Sequence, residues 1–318
     1  MLFISHKDIV ELNLDPLKCY EWVDYVLQHK SDTILPAKLS LKPSLGVFYN
    51  VMPSMLLDLN VAGVKVVSRY PERSPALDSQ ILLFDTEQGQ LKAIMDGNYI
   101  TTMRTGAVAV HSINLLAKSD FKVIGMIGLG NQARATMKVF LHFYPDKEII
   151  LKLYRYHGQE LEFQQYLQQF KNYNNLKIEF CDSYEATIKG SDIIISSVTY
   201  FENDIVANDC FDLGCLVIPI HTRGFTNCDL FFDKVYADDT DHVKDFKNFS
   251  QFKKFNEISD VLKQSQLGRS NDQERILVYN IGISVHDIYF ANQIYQVFSD
   301  KNGGRLLEFE HPTEKFWI

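Results

Sequence analysis

The chain has 318 residues, of which 46% are hydrophobic and 23% charged, and its formal net charge at pH 7 is −8. This length is enough for two domains with separate cores, and the acidic balance argues against nucleic acid as the main partner. Five cysteines without C-x-x-C spacing favour free thiols in a reducing compartment and no zinc site. No secretory-type or membrane-spanning run is visible, so we expect a cytoplasmic protein without a membrane partner or a bound metal.

The first part of the chain predicts one helix followed by several short strands. Residues 17–29 show a helical pattern with apolar side chains on one side. Strand-like runs follow at GVFYNVM, GVKVVSRY, SQILLFDT and LKAIMD, separated by Gly, Pro, Asp and Gln. This spacing predicts a mostly antiparallel sheet. Residues 100–116, ITTMRTGAVAVHSINLL, then predict a long apolar helix.

The middle of the chain carries a glycine turn between an apolar strand and a helix. In KVIGMIGLGNQA, Gly128 allows a tight turn, Gly130 leaves room for phosphates, and Ala133 allows the helix and strand to pack closely. The helix that begins at Asn131 and Gln132 would present its N-terminus to a pyrophosphate. Because strands and helices alternate after this point, the sequence predicts βαβ units and a parallel Rossmann sheet. A structural glycine turn before an ordinary helix is the alternative.

The residue after the second strand of this region indicates which dinucleotide is preferred. An acidic residue there would accept a hydrogen bond from the ribose 2′-hydroxyl of NAD, but EIILKLY is followed by Arg155, 25 positions beyond Gly130. A guanidinium can hold a 2′-phosphate by paired charged hydrogen bonds. The sequence therefore predicts NADP(H) in preference to NAD(H). The alternative is that Arg155 is a solvated residue and that Glu160, or no side chain, contacts the ribose.

Two cations precede the glycine turn in apolar surroundings. Lys65 lies in the strand-like run GVKVVSRY, and Arg104 lies in TTMRTGAVAV. Since an unpaired buried charge costs several kcal/mol, each cation needs an anionic partner. A substrate carboxylate could supply it. The alternative is an internal ion pair, for example with Asp85 or Asp96.

Several pieces of the chain, in one order, resemble the ornithine cyclodeaminase/mu-crystallin family. They are VMP (51–53), GVK (63–65), MRTGAVA (103–109), IGLGNQA (127–133), EATIKGSDIIISSVT (185–199), DVLKQSQLGR (260–269) and NIGISVHDI (280–288). The resemblance implies an α+β substrate-binding and dimerisation domain, residues 1–117 with 287–318, and a central NAD(P)-binding Rossmann domain, residues 118–286. A homodimer is implied as well.

The resemblance also implies roles for individual residues. Lys65 is similar in position to the family's active-site lysine, and Arg104 is similar to its carboxylate-binding arginine. Lys38 stands where many members have a second carboxylate-binding arginine; a lysine keeps the charge but loses the bidentate fork. Thr199, which ends the SSVT run, completes the predicted cofactor-binding set.

Two positions depart from the cyclodeaminases of the family. Asn50 replaces a glutamate two residues before the Met-Pro pair, and Arg223 stands where a catalytic aspartate is expected, six residues before Asp229. An arginine would repel a substrate ammonium and attract an anion. We therefore predict that Asn50 and Arg223 contact a substrate with a second anionic group, unless the loop has shifted and Arg223 points outward.

These residues predict an NAD(P)-dependent oxidoreductase that acts on the C–N bond of an amino acid, imino acid or N-substituted amino acid. A ketimine or imine reductase and an amino-acid dehydrogenase both fit this description. Two alternatives remain open: an ornithine-type cyclodeaminase, which is an ammonia lyase that uses bound NAD, and a non-catalytic NADP-dependent small-molecule binding protein.

Overall fold

The computed structural model describes residues 1–198, 201, 203–220, 225–301, 303–308 and 312–316. The chain forms two compact units. Unit 1 comprises Met1–Leu14, Asp32–Thr101 and Asp287–Ile318, and unit 2 comprises Asp15–Ser31 and Thr102–His286. The domain limits drawn from the sequence, which assign all of residues 1–117 to the first domain, stay a proposal.

The two units are built from both α-helices and β-strands. The helices are α1 (His6–Glu11), α2 (Pro16–Gln28), α3 (Asn98–Leu116), α4 (Asn131–Phe143), α5 (Gln159–Leu167), α6 (Tyr184–Ile188), α7 (Ile258–Lys263) and α8 (Ser284–Asp300). The strands are β1 (Leu2–Ile4), β2 (Thr33–Ile34), β3 (Leu39–Ser44), β4 (Val47–Leu56), β5 (Val61–Arg69), β6 (Leu77–Asp85), β7 (Leu91–Asp96), β8 (Val123–Ile127), β9 (Ile149–Tyr154), β10 (Leu176–Cys181), β11 (Ile193–Ser196), β12 (Leu216–Pro219), β13 (Lys234–Ala237), β14 (Phe255–Glu257), β15 (Ile276–Tyr279) and β16 (Arg305–Leu306). In the described part of the chain, no helix combines the length and apolar character that crossing a bilayer requires.

Unit 1 is built on a sheet with the strand order β16-β1-β7-β6-β5-β4-β2, in which β3 also pairs with β4. The pairs are antiparallel except that β1 runs parallel to β7. The mostly antiparallel sheet predicted from β4 to β7 is therefore present. The strands β1, β2, β3 and β16 were not predicted: β1, β2 and β16 have only two or three residues, and β3, LSLKPS, contains a proline, which weakens the strand pattern.

Alternation along β4, β5 and β6 gives the sheet of unit 1 two different faces. One face is buried and includes Met52, Val61 and Ile81. Lys65 belongs to this face, because its register partners are Met52 on β4 and Ile81 on β6. The opposite face is half-buried and carries apolar side chains such as Val64 and Phe84.

Unit 2 is built on a second sheet, in which every pair of neighbours is parallel. Its strand order is β10-β9-β8-β11-β12-β15-β13-β14. The central strands β11, β12 and β15 are buried along their whole length, as expected for a parallel sheet covered on both faces. The order reverses between β8 and β11, and ligands of such sheets bind at the carboxyl ends of the strands at this switch point. The α/β fold class predicted from the sequence is confirmed.

Candidate active site

The glycine turn of unit 2 lies at the carboxyl end of β8, beside the switch point. Gly128 has φ +81°, and a Cβ there would lie 2.9 Å from backbone atoms of both Ser197 and Val198, which follow β11. A side chain is therefore excluded by both backbone conformation and space. Around Gly130, by contrast, a Cβ would meet no atom within 4 Å. Ala133 is completely buried, so the three positions have the environments that a dinucleotide turn requires.

Unpaired polar groups at this turn test whether a dinucleotide fits. Gly130 is the N-cap of α4 and supplies no side-chain hydrogen bond to the first amides of the helix, and Asn131 beside it is exposed. Within the described residues, the buried Gln132 Oε1 and Ser197 Oγ atoms have no hydrogen-bond partner. Buried polar atoms are normally paired. An uncapped helix N-terminus with two such atoms nearby in the fold fits a phosphate-bearing ligand.

The segment after β9 contains the residue predicted to select the dinucleotide. The Arg155 amide donates to the Cys181 carbonyl oxygen at 2.9 Å, and its Nη1 lies 3.2 Å from Oδ1 of Asp182. Both side chains are exposed, at 51% and 82%. Glu160 is buried, and its Oε2 accepts a hydrogen bond from the Tyr156 amide at 3.1 Å. The Glu160 carboxylate is thus engaged in closing this turn.

A second close approach brings the MRTGAVA helix against the dinucleotide helix. Gly106 lies on α3, and a Cβ there would lie 2.5 Å from the carbonyl carbon of Ala135 and 2.6 Å from the amide nitrogen of Thr136, both on α4. The two helices therefore pack backbone to backbone at this point. Because Arg104 is two residues before Gly106, this contact fixes the position of Arg104 relative to the glycine turn within unit 2.

Arg104 is itself held against another glycine. Its side chain is buried, and Gly282 has φ +80°; a Cβ there would lie 2.5 Å from Nη1 of Arg104 and would force the guanidinium to move. The buried Asp238 carboxylate accepts hydrogen bonds from the Gly282 amide at 2.9 Å and from Nδ2 of Asn280 at 3.0 Å. Burial raises the pKa of Asp238, while these hydrogen bonds and the charges of Arg104 and Lys30 act in the opposite sense.

Lys65 in unit 1 is held by a carboxylate. Its Nζ lies 2.5 Å from Oδ2 of Asp287 on α8, and the two side chains are 1% and 0% exposed. The internal ion pair that the sequence left open as the alternative is therefore present at Lys65, but its carboxylate is Asp287 and neither of the suggested examples, Asp85 and Asp96. Asp85 Oδ1 accepts from the Glu87 amide at 2.9 Å. Asp96 Oδ2 accepts from the Asn98 side chain at 2.8 Å.

A glycine two positions before Lys65 explains how α8 comes close enough for this pair. Gly63 lies on the same face of β5 as Lys65, because side chains two positions apart point the same way. A Cβ at Gly63 would lie 2.5 Å from Cδ1 of Ile288 and 2.8 Å from the Leu82 carbonyl oxygen. The GVK motif therefore contains both Gly63, which leaves space for α8, and Lys65, which pairs with Asp287 on that helix.

The remaining predicted residues lie in unit 1 or outside the described part. Lys38 is half-buried between β2 and β3. Asn50 lies on β4, on the same face as Lys65, and its Oδ1 accepts from the Ser40 hydroxyl at 2.6 Å. Thr199 and Arg223 lie outside the described residues.

Sequence reasoning missed three positions that shape these surroundings: Asp287, Gly282 and Asp238. Gly282 and Asp287 fall in NIGISVHDI, a piece that carries the family resemblance, and Asp238 falls in the run KVYADD, which does not belong to those pieces. A carboxylate inside an apolar helical pattern was the available signal for Asp287, since such a charge needs a partner. Nothing local in the sequence identified that partner.

Comparison with known proteins decides the family. A profile of the ornithine cyclodeaminase/mu-crystallin family matches residues 10–302. The chain belongs to this family. The resemblance inferred from the sequence pieces is thereby confirmed, and the matched span includes the glycine turn, Lys65, Arg104 and Asp287.

Two curated members of the family are similar over most of their length. N-((2S)-2-amino-2-carboxyethyl)-L-glutamate dehydrogenase of Staphylococcus aureus is 27% identical, with 95% of this chain and 89% of that protein covered. Delta(1)-pyrroline-2-carboxylate reductase of Bacillus cereus is 24% identical, with coverages of 81% and 84%. Both are oxidoreductases of amino or imino acids, in agreement with the chemistry predicted from the sequence.

Two solved structures share the fold. Delta(1)-pyrroline-2-carboxylate reductase of Thermococcus litoralis, in complex with NADH and L-proline, has a TM-score of 0.85 at 22% identity, covering 96% of this chain and all of that chain. An archaeal alanine dehydrogenase dimer with bound NAD has a TM-score of 0.84 at 20% identity, with coverages of 98% and 99%. At these identities the likeness establishes the two-domain dinucleotide-binding fold.

Proposed function

We propose that this protein is an NADP(H)-dependent reductase or dehydrogenase that acts on the C–N bond of an amino acid, imino acid or N-substituted amino acid. The observation that carries the proposal is the packing of α3 on α4 at Gly106. It holds a buried arginine, Arg104, at a fixed position relative to a dinucleotide turn of the correct geometry. The curated relatives that reduce or oxidise such compounds support the same chemistry.

The side chains of the chain would bind and orient the substrate. Arg104 is proposed to bind the α-carboxylate, since a guanidinium pairs with a carboxylate through two hydrogen bonds. Lys65 is proposed to hydrogen-bond the substrate carboxylate or imine nitrogen and to protonate that nitrogen. Lys38, Asn50 and Arg223 are proposed substrate contacts, with Arg223 binding a second anionic group.

The dinucleotide would be held by the amides at the start of α4 and by Gly128, Gly130 and Gln132, with Thr199 as a further proposed contact. When bound, the nicotinamide would supply or accept the hydride in this chemistry. The preference for NADP(H) rests on Arg155. It is exposed at the end of β9, and Glu160, the carboxylate that could serve a ribose hydroxyl, is buried on the Tyr156 amide.

A homodimer is proposed from unit 1. The half-buried face of its sheet carries apolar side chains, and residues such as Ile34, Pro53, Val64 and Phe84 line a groove there. Leu39 and Leu41 of β3 are 60% and 54% exposed. Exposed apolar surface of this kind is typical of a protein–protein contact, and the archaeal alanine dehydrogenase of the same fold is a dimer. Sedimentation at two concentrations should give twice the chain mass; a monomer at both would contradict the proposal.

A turnover assay tests the enzymatic proposal. The protein would be mixed with NADPH or NADH and a panel of cyclic imines, or of 2-oxo acids with amines, while the absorbance of the reduced nicotinamide is followed. We expect steady oxidation of NADPH, faster for substrates with two carboxylates than for those with one. Arg104→Leu should raise the substrate KM strongly while NADPH binding persists, because Arg104 is proposed to bind the substrate carboxylate and not the dinucleotide.

Two other outcomes would replace the proposal. Release of proline from ornithine with a catalytic amount of NAD would identify an ornithine-type cyclodeaminase. Tight NADPH binding without turnover of any substrate in the panel would identify a non-catalytic binding protein. Binding measured by fluorescence and product measured by mass spectrometry separate these cases.

A further inference from the structure

We infer that Asp287 is a positioning residue for Lys65: it fixes the lysine ammonium in one orientation and keeps it protonated inside unit 1. This inference rests on the proposed role of Lys65. If it is correct, α8 contributes to the reaction through Asp287, in addition to burying its apolar side chains in the core. The geometry that carries it is the 2.5 Å contact between Nζ and Oδ2, with both side chains at most 1% exposed.

The first step concerns the charge of the lysine. Burial disfavours the charged form of an amine, whereas a carboxylate in direct contact favours it. At Lys65 the burial is nearly complete, so the adjacent Asp287 is what allows an ammonium to persist there. An ammonium can donate hydrogen bonds and a proton to a substrate; a neutral amine would offer neither as well.

The second step concerns orientation. A lysine side chain has a flexible four-carbon stem and a rotatable ammonium, which makes it a poor positioning group unless its end is fixed. The Cα of Lys65 lies in the middle of β5. Because β5 is paired with β4 on one side and β6 on the other, the backbone end of the side chain is held in place. Asp287 fixes the other end of the side chain. The contact with Oδ2 then limits the rotation of the ammonium group.

The third step concerns the glycine that permits the contact. Without the space at Gly63, Ile288 and with it the first turns of α8 could not approach the sheet. Asp287 precedes Ile288, so the position of its carboxylate depends on this approach. The motifs GVK and HDI therefore act together: Gly63 leaves space for α8, and Asp287 on α8 orients Lys65.

The test compares Asp287→Asn with Asp300→Asn, which makes the same chemical change at the exposed end of the same helix. The measurements are kcat and KM with NADPH and the best imine of the panel, the Kd for NADPH by fluorescence, and the melting temperature. We expect Asp287→Asn to lower kcat by about 10- to 100-fold, part of what a positioned proton donor contributes. The KM and the Kd should stay within about 3-fold, because Arg104 still binds the substrate carboxylate and the weakened proton donation acts in the transition state. Asp300→Asn should match the wild type.

A purely structural role for Asp287 would lower the melting temperature but leave kcat unchanged below that temperature, and this result would overturn the inference. If Asp287→Asn does not fold, Asp287→Glu decides, because it keeps the charge and displaces the carboxylate by one methylene. A lowered kcat at unchanged KM supports the inference, and a wild-type kcat overturns it. If the wild type itself turns over no substrate, the proposed function fails first, so the two failures are distinguishable.

Discussion

The ion pair Lys65–Asp287 in unit 1 and the ion pair Arg155–Asp182 in unit 2 join the same kinds of charge at 2.5 Å and 3.2 Å, yet solvent reaches them very differently. The first pair is at most 1% exposed, whereas the side chains of the second are 51% and 82% exposed. Breaking a buried pair by removing one partner costs about 3–5 kcal/mol, and an exposed pair is worth only about 0–1 kcal/mol.

This difference separates two uses of a cation. Lys65 is paired with its buried carboxylate in the ligand-free protein, so its geometry is set before any ligand arrives. Arg155 can leave Asp182 at little cost, as its proposed binding of the 2′-phosphate requires. Under the proposed roles, Lys65, which orients the substrate, is buried with its carboxylate, and Arg155, which would bind a 2′-phosphate, lies at the surface. Four substitutions test how firmly Lys65, Arg155 and the buried Arg104 are held, from the largest expected effect on the stability of the protein to the smallest.

Lys65→Met should have the largest effect. It leaves Asp287 buried without the ammonium, and we expect the free energy of unfolding to fall by about 3–5 kcal/mol and turnover to be lost. Adding Asp287→Leu should restore much of the stability but no activity, because no charge then remains without its partner. Lys42→Met, on the exposed strand β3, is the control and should leave both quantities unchanged. Chemical denaturation measures the effect; a single variant as stable as the wild type would contradict a strong buried pair.

Gly282→Ala should come next. An L-residue at φ +80° costs roughly 1–2 kcal/mol, and the new methyl group would lie 2.5 Å from Nη1 of Arg104. We expect lower stability together with a KM for the carboxylate substrate raised by about 10-fold, the value of one hydrogen bond to a charged group. Gly89→Ala is the matched control. Gly89 has φ +69° with no atom within 4 Å of a Cβ. The Gly89→Ala protein should therefore lose stability but keep the wild-type KM. Equal KM changes in the two variants would refute the contact with Arg104.

Arg155→Ser should affect one cofactor and spare the other. Loss of a charged hydrogen bond of about 1.5–3 kcal/mol corresponds to a weakening of NADPH binding by roughly 10- to 100-fold. The Kd for NADH should stay within about 2-fold of the wild type, since NADH has no 2′-phosphate for a guanidinium to bind. Titration by fluorescence gives both constants. A parallel loss for both cofactors would mean that Arg155 supports the loop and does not select the phosphate.

Asp182→Asn should have the smallest effect, and in the opposite direction. Because the exposed pair is worth only about 0–1 kcal/mol, freeing Arg155 should tighten NADPH binding by at most about 5-fold. The gain should shrink in high salt, which screens exposed charges. Glu162→Gln, which removes an exposed carboxylate 3.7 Å from Arg134, is the control and should not change the preference for NADPH. Weaker NADPH binding in Asp182→Asn would show that Asp182 itself contacts the cofactor.

The parts of the molecule that sequence could predict are those in which the cause is local. The glycine turn at Gly128–Ala133 was recognisable because the turn, the strand before it and the helix after it are contiguous. The burial of Lys65 was also visible from its apolar neighbours. Its partner was not, because Asp287 is 222 positions away and reaches the lysine only after α8 has packed on the sheet. Asp85 and Asp96 are nearer in sequence, but their carboxylates accept hydrogen bonds from backbone amides two positions further along the chain.

The sequence by itself determined the fold class, the dinucleotide turn and the family, since strand–turn–helix order and motif spacing are properties of neighbouring residues. Only the tertiary structure decided which carboxylate holds Lys65, why Gly63, Gly106 and Gly282 lack side chains, and that Glu160 is turned inward. The physical reason is the same in each case. Close packing brings together atoms that are distant along the chain. The role of a glycine or of a charged side chain can therefore be recognised only when the distant residue that it contacts is known.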